Sequence, residues 1–190
     1  MSTVTSHVVE HDGASTHYLD CRPDTGGEAL APILFVPGMT DLADDYRQIA
    51  DHIGRRTIVL ELRGHGRSTA RQGWDLAGHA LDIEAVANDA IEGPLHLMTF
   101  SRGTCYALAW LADHADRVLS LSIGDYPARE IRMTPDTATS LLNTTWRGTP
   151  VTDRVDVAMY DAAMAAAVSQ PLWHVVAGLD IPVLVVRSGP

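Results

Sequence analysis

The chain has 190 residues, 46% of them hydrophobic and 20% charged, a balance that suits a globular domain with a buried core and excludes a disordered or fibrous chain. Fourteen Lys and Arg stand against 24 Asp and Glu, a net charge of −10, which repels a phosphate backbone, so nucleic acid is not expected as a partner. No apolar run approaches the roughly 20 residues that cross a bilayer, and Met1–Glu10 lacks the basic start, apolar stretch and small-residue cleavage site of a targeting signal. The expectation is a cytoplasmic protein with no membrane partner.

The first elements expected are two strands, Val4–Glu10 and Ser15–Cys21, joined at Asp12-Gly13, a strong hairpin signal. Cys21–Ala31, rich in Pro, Gly and Asp, reads as a loop. Ile33–Val36 is a buried strand ended by Pro37-Gly38. Leu42, Tyr46, Ile49 and Ile53 then recur at helical spacing, with Asp41 as the cap before them and Gly54 after. Thr57–Leu62 is a β-branched strand, and Ala80, Ile83, Ala87 and Ile91 mark a helix face stopped by Gly93-Pro94.

Leu95–Phe100 is the third core strand, followed from Arg102 by a helix carrying Cys105, Leu108, Ala109 and Ala112; Val118–Ile123 and Val183–Val186 are the fourth and fifth. Strands alternating with helices of this length imply right-handed crossovers and a mostly parallel sheet covered on both faces, an α/β fold. Tyr126–Gly178 has no strand signal, and its most regular helix is expected over Asp153–Val168. The division expected is a core over 1–127, a helical cap insertion over 128–178 and the start of a C-terminal core part over 179–190. Cys21 and Cys105 lie far apart, form no C-x-x-C pair and have no histidine at ligand spacing, so they read as two buried thiols, with no metal or cofactor implied.

Chemistry points to Met98-Thr99-Phe100-Ser101-Arg102-Gly103, where an apolar strand turns into a helix with a serine at the bend. A nucleophile on such a turn points out of the sheet while the following amides face a developing oxyanion. Gly103 leaves room for the helix to pack on a strand, whereas Thr99 stands where G-x-S-x-G has glycine and would crowd the turn. Upstream, Phe35-Val36-Pro37-Gly38-Met39-Thr40 ends a strand in glycine, and Glu61-Leu62-Arg63-Gly64-His65-Gly66-Arg67-Ser68 is a glycine-punctuated loop after the next strand.

These segments, with the strand ending Gly124-Asp125-Tyr126-Pro127, resemble in order and spacing the α/β-hydrolase fold superfamily, particularly its lid-bearing bacterial esterase and epoxide-hydrolase-like members. The resemblance runs from about Val4 to Pro190. It implies a twisted sheet with an N-terminal antiparallel hairpin, Ser101 as nucleophile and the backbone amides of Met39 and Arg102 as oxyanion hole; the alternative for Ser101 is an ordinary helix-capping serine. It also implies the chain order serine, acid, histidine. Asp125 occupies a place where some relatives put their acid; the alternative is a carboxylate that binds backbone amides at the strand end.

Only His114 and His174 follow Ser101. His114 lies about 18 Å of helical rise from the elbow, family order argues against His174, and the usual part of His65 is to hold the glycine loop. Relative to the family, the last strand, helix and histidine are missing, and the apolar strand Ile181–Val186 would be left as an open edge. The expectation is a fragment of a longer polypeptide, or a partner chain that completes the sheet. The functional expectation is a serine hydrolase acting on an ester, lactone or thioester of a small to medium apolar substrate, with Trp146, Met159 and Trp173, together with Met164, lining the pocket. The alternatives are a cofactor-free lyase, acyltransferase or cyclase on the same scaffold, or a non-catalytic ligand-binding protein.

Overall fold

The structure, a computed structural model, describes residues 3–24 and 30–189; the middle of the expected Cys21–Ala31 loop lies outside the described residues. The hairpin forms from β1 (Thr3–His11) and β2 (Ala14–Arg22) around Asp12-Gly13. Both turn residues have positive φ, +42° and +76°, the pairing that suits the right-handed twist of flanking strands. The core strands β3 (Ile33–Val36), β4 (Thr57–Leu60), β6 (Leu95–Phe100), β7 (Val118–Gly124) and β12 (Val183–Val186) join them, with the short β5 (Thr69–Ala70) on β2. The order is β1-β2-β4-β3-β6-β7-β12. Pairings are antiparallel from β1 to β4 and parallel from β4 to β12, as the alternation of strands and helices predicts.

Alternate residues of the strands face opposite sides. Leu34, Val36, Ile58, Leu60, Leu95, Leu97, Leu121 and Ile123 point to a large core under α2 (Leu76–Ala90), α3 (Gly103–His114) and the short α6 (Trp173–Ala177). Ile83, Ala87 and Ile91 of the predicted α2 face are buried there, as are Leu108 and Leu111 of α3. The other face carries Leu19, Phe35, Val59, Met98 and Phe100, and what covers it is smaller: a 3₁₀ turn over Ala43–Tyr46 and α1 (Arg47–Ile53), through Ala43, Tyr46 and Ala50. Gly54 ends α1 in the left-handed conformation as expected. Two expectations fail here. Ile49 and Ile53 are 43% and 37% exposed rather than packed on the core, because the 3₁₀ start rotates the helix so that its alanines meet the sheet. Asp41 does not cap the helix; Leu42 holds that position, and Asp45 accepts from the Leu42 N–H at 2.8 Å.

Residues 128–178 hold more structure than the sequence suggested. β8 (Arg129–Glu130) pairs with β11 (Gln170–Pro171), and β9 (Thr145–Trp146) with β10 (Thr149–Pro150) around Arg147-Gly148, both at positive φ. α4 (Pro135–Leu142) was not anticipated, although Thr134 caps it and Pro135 opens it, both ordinary start signals. α5 spans Val157–Ala166, shorter than the expected Asp153–Val168, because Asp156 caps it. Ala138, Val151, Val155, Tyr160 and Met164 form a separate cluster joined by Met39, whereas Leu172 and Val175 join the main core. Both cysteines are buried thiols; burial pushes Cys21 up to about 11 and Cys105 up to about 12, which makes them poor nucleophiles.

Candidate active site

Ser101 sits between β6 and α3 at φ +47°, a left-handed conformation that costs free energy at a non-glycine residue and persists only where its surroundings fix it. They do so on both sides: its N–H donates to Gly124 O at 2.8 Å and its carbonyl accepts from Thr104 N at 3.0 Å. A Cβ at position 103 would lie 2.1 Å from the Pro37 carbonyl oxygen, so only glycine lets α3 start against the end of β3. Thr99 does not crowd the turn as expected. Its hydroxyl shares a hydrogen bond with Thr104 Oγ1 at 2.9 Å and donates to Ser122 O at 3.2 Å. The close approach falls instead on Gly124, whose added Cβ would lie 2.9 Å from Thr99 O.

The Gly38–Thr40 segment lies against this elbow: a Cβ on Gly38 would sit 3.0 Å from Ser101 Cβ. Gly38 N–H donates to Asp41 Oδ2 at 3.1 Å, and Thr40 N–H donates to His65 Nε2 at 3.1 Å. Arg154 Nε donates to Thr40 O at 2.7 Å. Thr40, a β-branched residue at φ +71°, is thereby locked in a strained conformation. Among the described residues, neither the Met39 nor the Arg102 amide donates a hydrogen bond. Both amides named from the resemblance are therefore without a hydrogen-bond acceptor among the described residues.

The glycine loop supports this arrangement from behind. His65 Nδ1–H donates to Arg63 O at 3.1 Å while Nε2 accepts from Thr40, so both ring nitrogens are occupied, and burial holds the imidazole below its ordinary pKa. Glu61 accepts from Ala43 N, Arg67 N and His17 Nδ1. Burial works to raise this carboxyl, but the His17 and amide hydrogen bonds outweigh it and hold it below its usual value. Arg63 is fixed by Asp82 at 2.6 Å and by the carbonyls of Gln72, Gly73 and Gly78.

Other expected site residues fall in different surroundings. Asp125, at φ +53°, donates its N–H to Val186 O at 2.7 Å, and its carboxylate accepts from Ser188 N and Oγ at 3.2 and 2.7 Å. It tethers the chain beyond β12, which matches the strand-end alternative. The Arg102 side chain is buried, donating from Nε to Tyr106 Oη at 2.9 Å and from Nη1 to Ile131 O at 2.7 Å. Trp146 donates its indole N–H to Asp41 Oδ1 at 2.7 Å. Met159 packs against Gly64, where an added Cβ would meet its Cβ at 2.8 Å. Met164 is buried in the cluster of residues 138–164. Trp173 is 55% exposed at the start of α6.

Among the described residues no histidine hydrogen-bonds Ser101. His114 stacks on Trp110 and meets Glu84 at 3.0 Å, and His174 is exposed on α6. No group of three or more His, Cys, Asp or Glu side chains among the described residues is arranged to hold a metal ion, and no helix is long and apolar enough to cross a membrane. An apolar cavity of about 540 Å³ flanks the elbow on the α1 side, lined by residues including Phe35, Met98, Phe100, Leu184 and Val186, with Asp125 and Ser188 at its border. The residues missed by sequence reading are Asp41 and Arg154, buried and charged beside the Gly38–Thr40 turn. The Arg147-Gly148 dipeptide, a turn signal, was the available clue that a hairpin brings Trp146 back onto Asp41.

No curated protein sequence matches this chain. Among solved structures it is similar to a deformylase of Pseudomonas putida S16 (TM-score 0.75, 18% identity, covering 97% of this chain and 82% of that one). It is also similar to the enol-lactonase of Burkholderia xenovorans LB400 (TM-score 0.77, 17% identity, 95% and 80%). Likeness to the Cif epoxide hydrolase of Acinetobacter nosocomialis is more partial, with TM-score 0.57, 19% identity, and coverage of 70% of this chain and 43% of that one. At these identities the likeness is one of fold. Residues 31–150 match the family description "alpha/beta hydrolase fold", and with more than half its length so matched the chain belongs to the α/β-hydrolase fold family.

Proposed function

We propose that the chain is a serine hydrolase of carboxylic ester, lactone or thioester bonds in a small to medium apolar substrate. The observation that carries this reading is Ser101 at φ +47°, with the Met39 and Arg102 amides donating to no acceptor among the described residues. Ser101 Oγ would attack the substrate carbonyl carbon while a histidine takes its proton. The tetrahedral oxyanion would sit between the two N–H groups, an interaction whose loss costs about 10²–10³ in kcat in a comparable enzyme. Collapse expels the alcohol or thiol, which receives the proton, and water then releases the acid by the same steps in reverse. An apolar substrate is supported by Met39 and the apolar cluster of residues 138–164 that it joins, within a cap we place over 128–178.

The histidine base comes, in this reading, from polypeptide outside residues 3–189, either further chain or a partner that pairs with β12. The acid is Asp125 or a residue supplied with that histidine. An enol-lactonase is among the structural neighbours, in keeping with the lactone in the proposed substrate class. A fluorophosphonate probe tests the proposal: the folded wild-type protein is expected to be labelled at Ser101 and Ser101→Ala to be unlabelled. A folded protein that is complete with the polypeptide supplying the histidine, yet resists labelling and hydrolyses no p-nitrophenyl ester, overturns it. The absence, among the described residues, of any histidine bonded to Ser101 favours one second reading, a non-catalytic ligand-binding protein on this scaffold.

A further inference from the structure

Gly38, whose added Cβ would lie 3.0 Å from Ser101 Cβ, opens a run of three consecutive residues, Gly38, Met39 and Thr40, and two of their three amides are taken by buried side chains. Asp41 takes the Gly38 N–H and His65 the Thr40 N–H, leaving Met39 between them. Asp41 is 1% exposed, and each of its oxygens has a defined task. Oδ2 accepts from Gly38 N at 3.1 Å and from Tyr46 Oη at 2.8 Å; Oδ1 accepts from Trp146 Nε1 at 2.7 Å and faces Arg147 Nε at 3.4 Å. Tyr46 is itself buried between Phe35 and Phe100, so the carboxylate is anchored to the sheet on one side. On the other it is gripped by the β9–β10 turn, which lies more than a hundred residues away in sequence.

We infer that Asp41 is a positioning residue for the oxyanion hole, and that the Trp146–Arg147 turn of the 128–178 segment fixes it in place. This rests on the reading of Met39 as an oxyanion donor. A carboxylate accepts at both oxygens, so it can serve Gly38 and Trp146 together. An amide in its place must turn its NH₂ toward one of these two donors and lose that bond. Turned toward Gly38, the NH₂ releases that amide; turned toward Trp146, it frees the carboxamide from the β9–β10 turn; either way the peptide that carries the Met39 N–H is held less firmly at the position of the developing charge. Arg154 holds the next peptide from the same segment, through Thr40 O and the Asp45 carboxylate. The inserted segment thereby acts on the chemistry through backbone geometry as well as by covering the site.

The test uses Asp41→Asn, Trp146→Phe and the double variant, with three readouts: kcat and KM on a p-nitrophenyl ester, inhibition by an alkylboronic acid that forms a tetrahedral adduct on Ser101, and amide hydrogen exchange at Gly38. Asp41→Asn is expected to lower kcat by about 10–100-fold, less than outright loss of an oxyanion donor, with KM within about twofold and boronate affinity weakened in step with kcat. Trp146→Phe, which keeps a ring and removes only the N–H, shows the same pattern at about 3–10-fold, and the double variant is no worse than Asp41→Asn alone because the two act through one bond. Gly38 exchange accelerates in each. An active wild type whose variants keep their kcat and boronate affinity overturns the inference while leaving the proposed function intact. A Trp146→Phe effect on KM alone also overturns it, since that marks a substrate-wall residue. A wild type inert to ester and probe removes the proposed function, and the inference with it.

Discussion

The two faces of the sheet are drawn from the same strands, residue by residue in alternation, and they meet different fates. Leu34 and Ile58 enter a core sealed by α2, α3 and α6, while their neighbours Phe35 and Val59 face a side that only α1 and its 3₁₀ turn partly cover. On that second side Leu184 and Val186 are 59% and 54% exposed beside the 540 Å³ cavity, and β7 already presents Ser120 and Ser122 rather than aliphatic side chains toward it. Both faces carry apolar side chains, but they are not stabilised equally, because area contributes only when something removes it from water. The elbow belongs to the sealed side through α3. The cavity and Asp125 belong to the open one.

The contrast can be broken by substitution. Leu108→Ala, in the sealed core with no exposed surface, is expected to cost about 2–5 kcal/mol in urea denaturation. His79 probes the same side by pH. It lies between α2 and α3, stacked on Tyr106 at 3.7 Å, and burial pushes its pKa down to about 4. The unfolded chain takes up a proton near pH 6.5 that the folded protein refuses until about 4. Stability is therefore full above 6.5 and falls as pH drops through that window, by about 3 kcal/mol at 1.36 kcal/mol per unit; His79→Gln should flatten that part of the profile. On the open side, Ile49→Ala is expected to cost less than about 1 kcal/mol, since its side chain is already half in water. A cost equal to that of Leu108→Ala would show that this face is covered in solution. Smallest in stability is Val185→Lys on the exposed edge strand, within about 0.5 kcal/mol, while light scattering should register less self-association than the wild type.

What the sequence made legible follows the same division. Strand and helix periods on the sealed side, the Asp12-Gly13 hairpin, the Gly54 stop and the elbow at Ser101 were readable because each is a local pattern with a local cause. The α1 face was misread because Ile49 and Ile53 have the spacing of a buried stripe, and periodicity reports which residues share a face without saying that the face is covered. Thr99 was misjudged because its hydroxyl finds Thr104 and Ser122, partners set by the crossing of α3 over the sheet. Asp41 carried a capping signature and is used instead by a tryptophan from a distant hairpin, a contact no local pattern encodes. Its place between the Gly38 amide and Trp146 depends on the return of the β9–β10 hairpin to the sheet.

That distant contact bears on the order in which the molecule assembles. The elbow needs only β6, α3 and their near neighbours, so Ser101 can reach its conformation early in folding. The Gly38–Thr40 segment is held through Trp146 and Arg154, separated in sequence from Asp41 and Thr40 by 105 and 114 residues, and closing loops of that length is slow compared with local contacts. During synthesis, then, a nascent chain can form the turn at Ser101 well before the Gly38–Thr40 segment gains the contacts that hold it, which wait until the segment through residue 154 has been made and has docked.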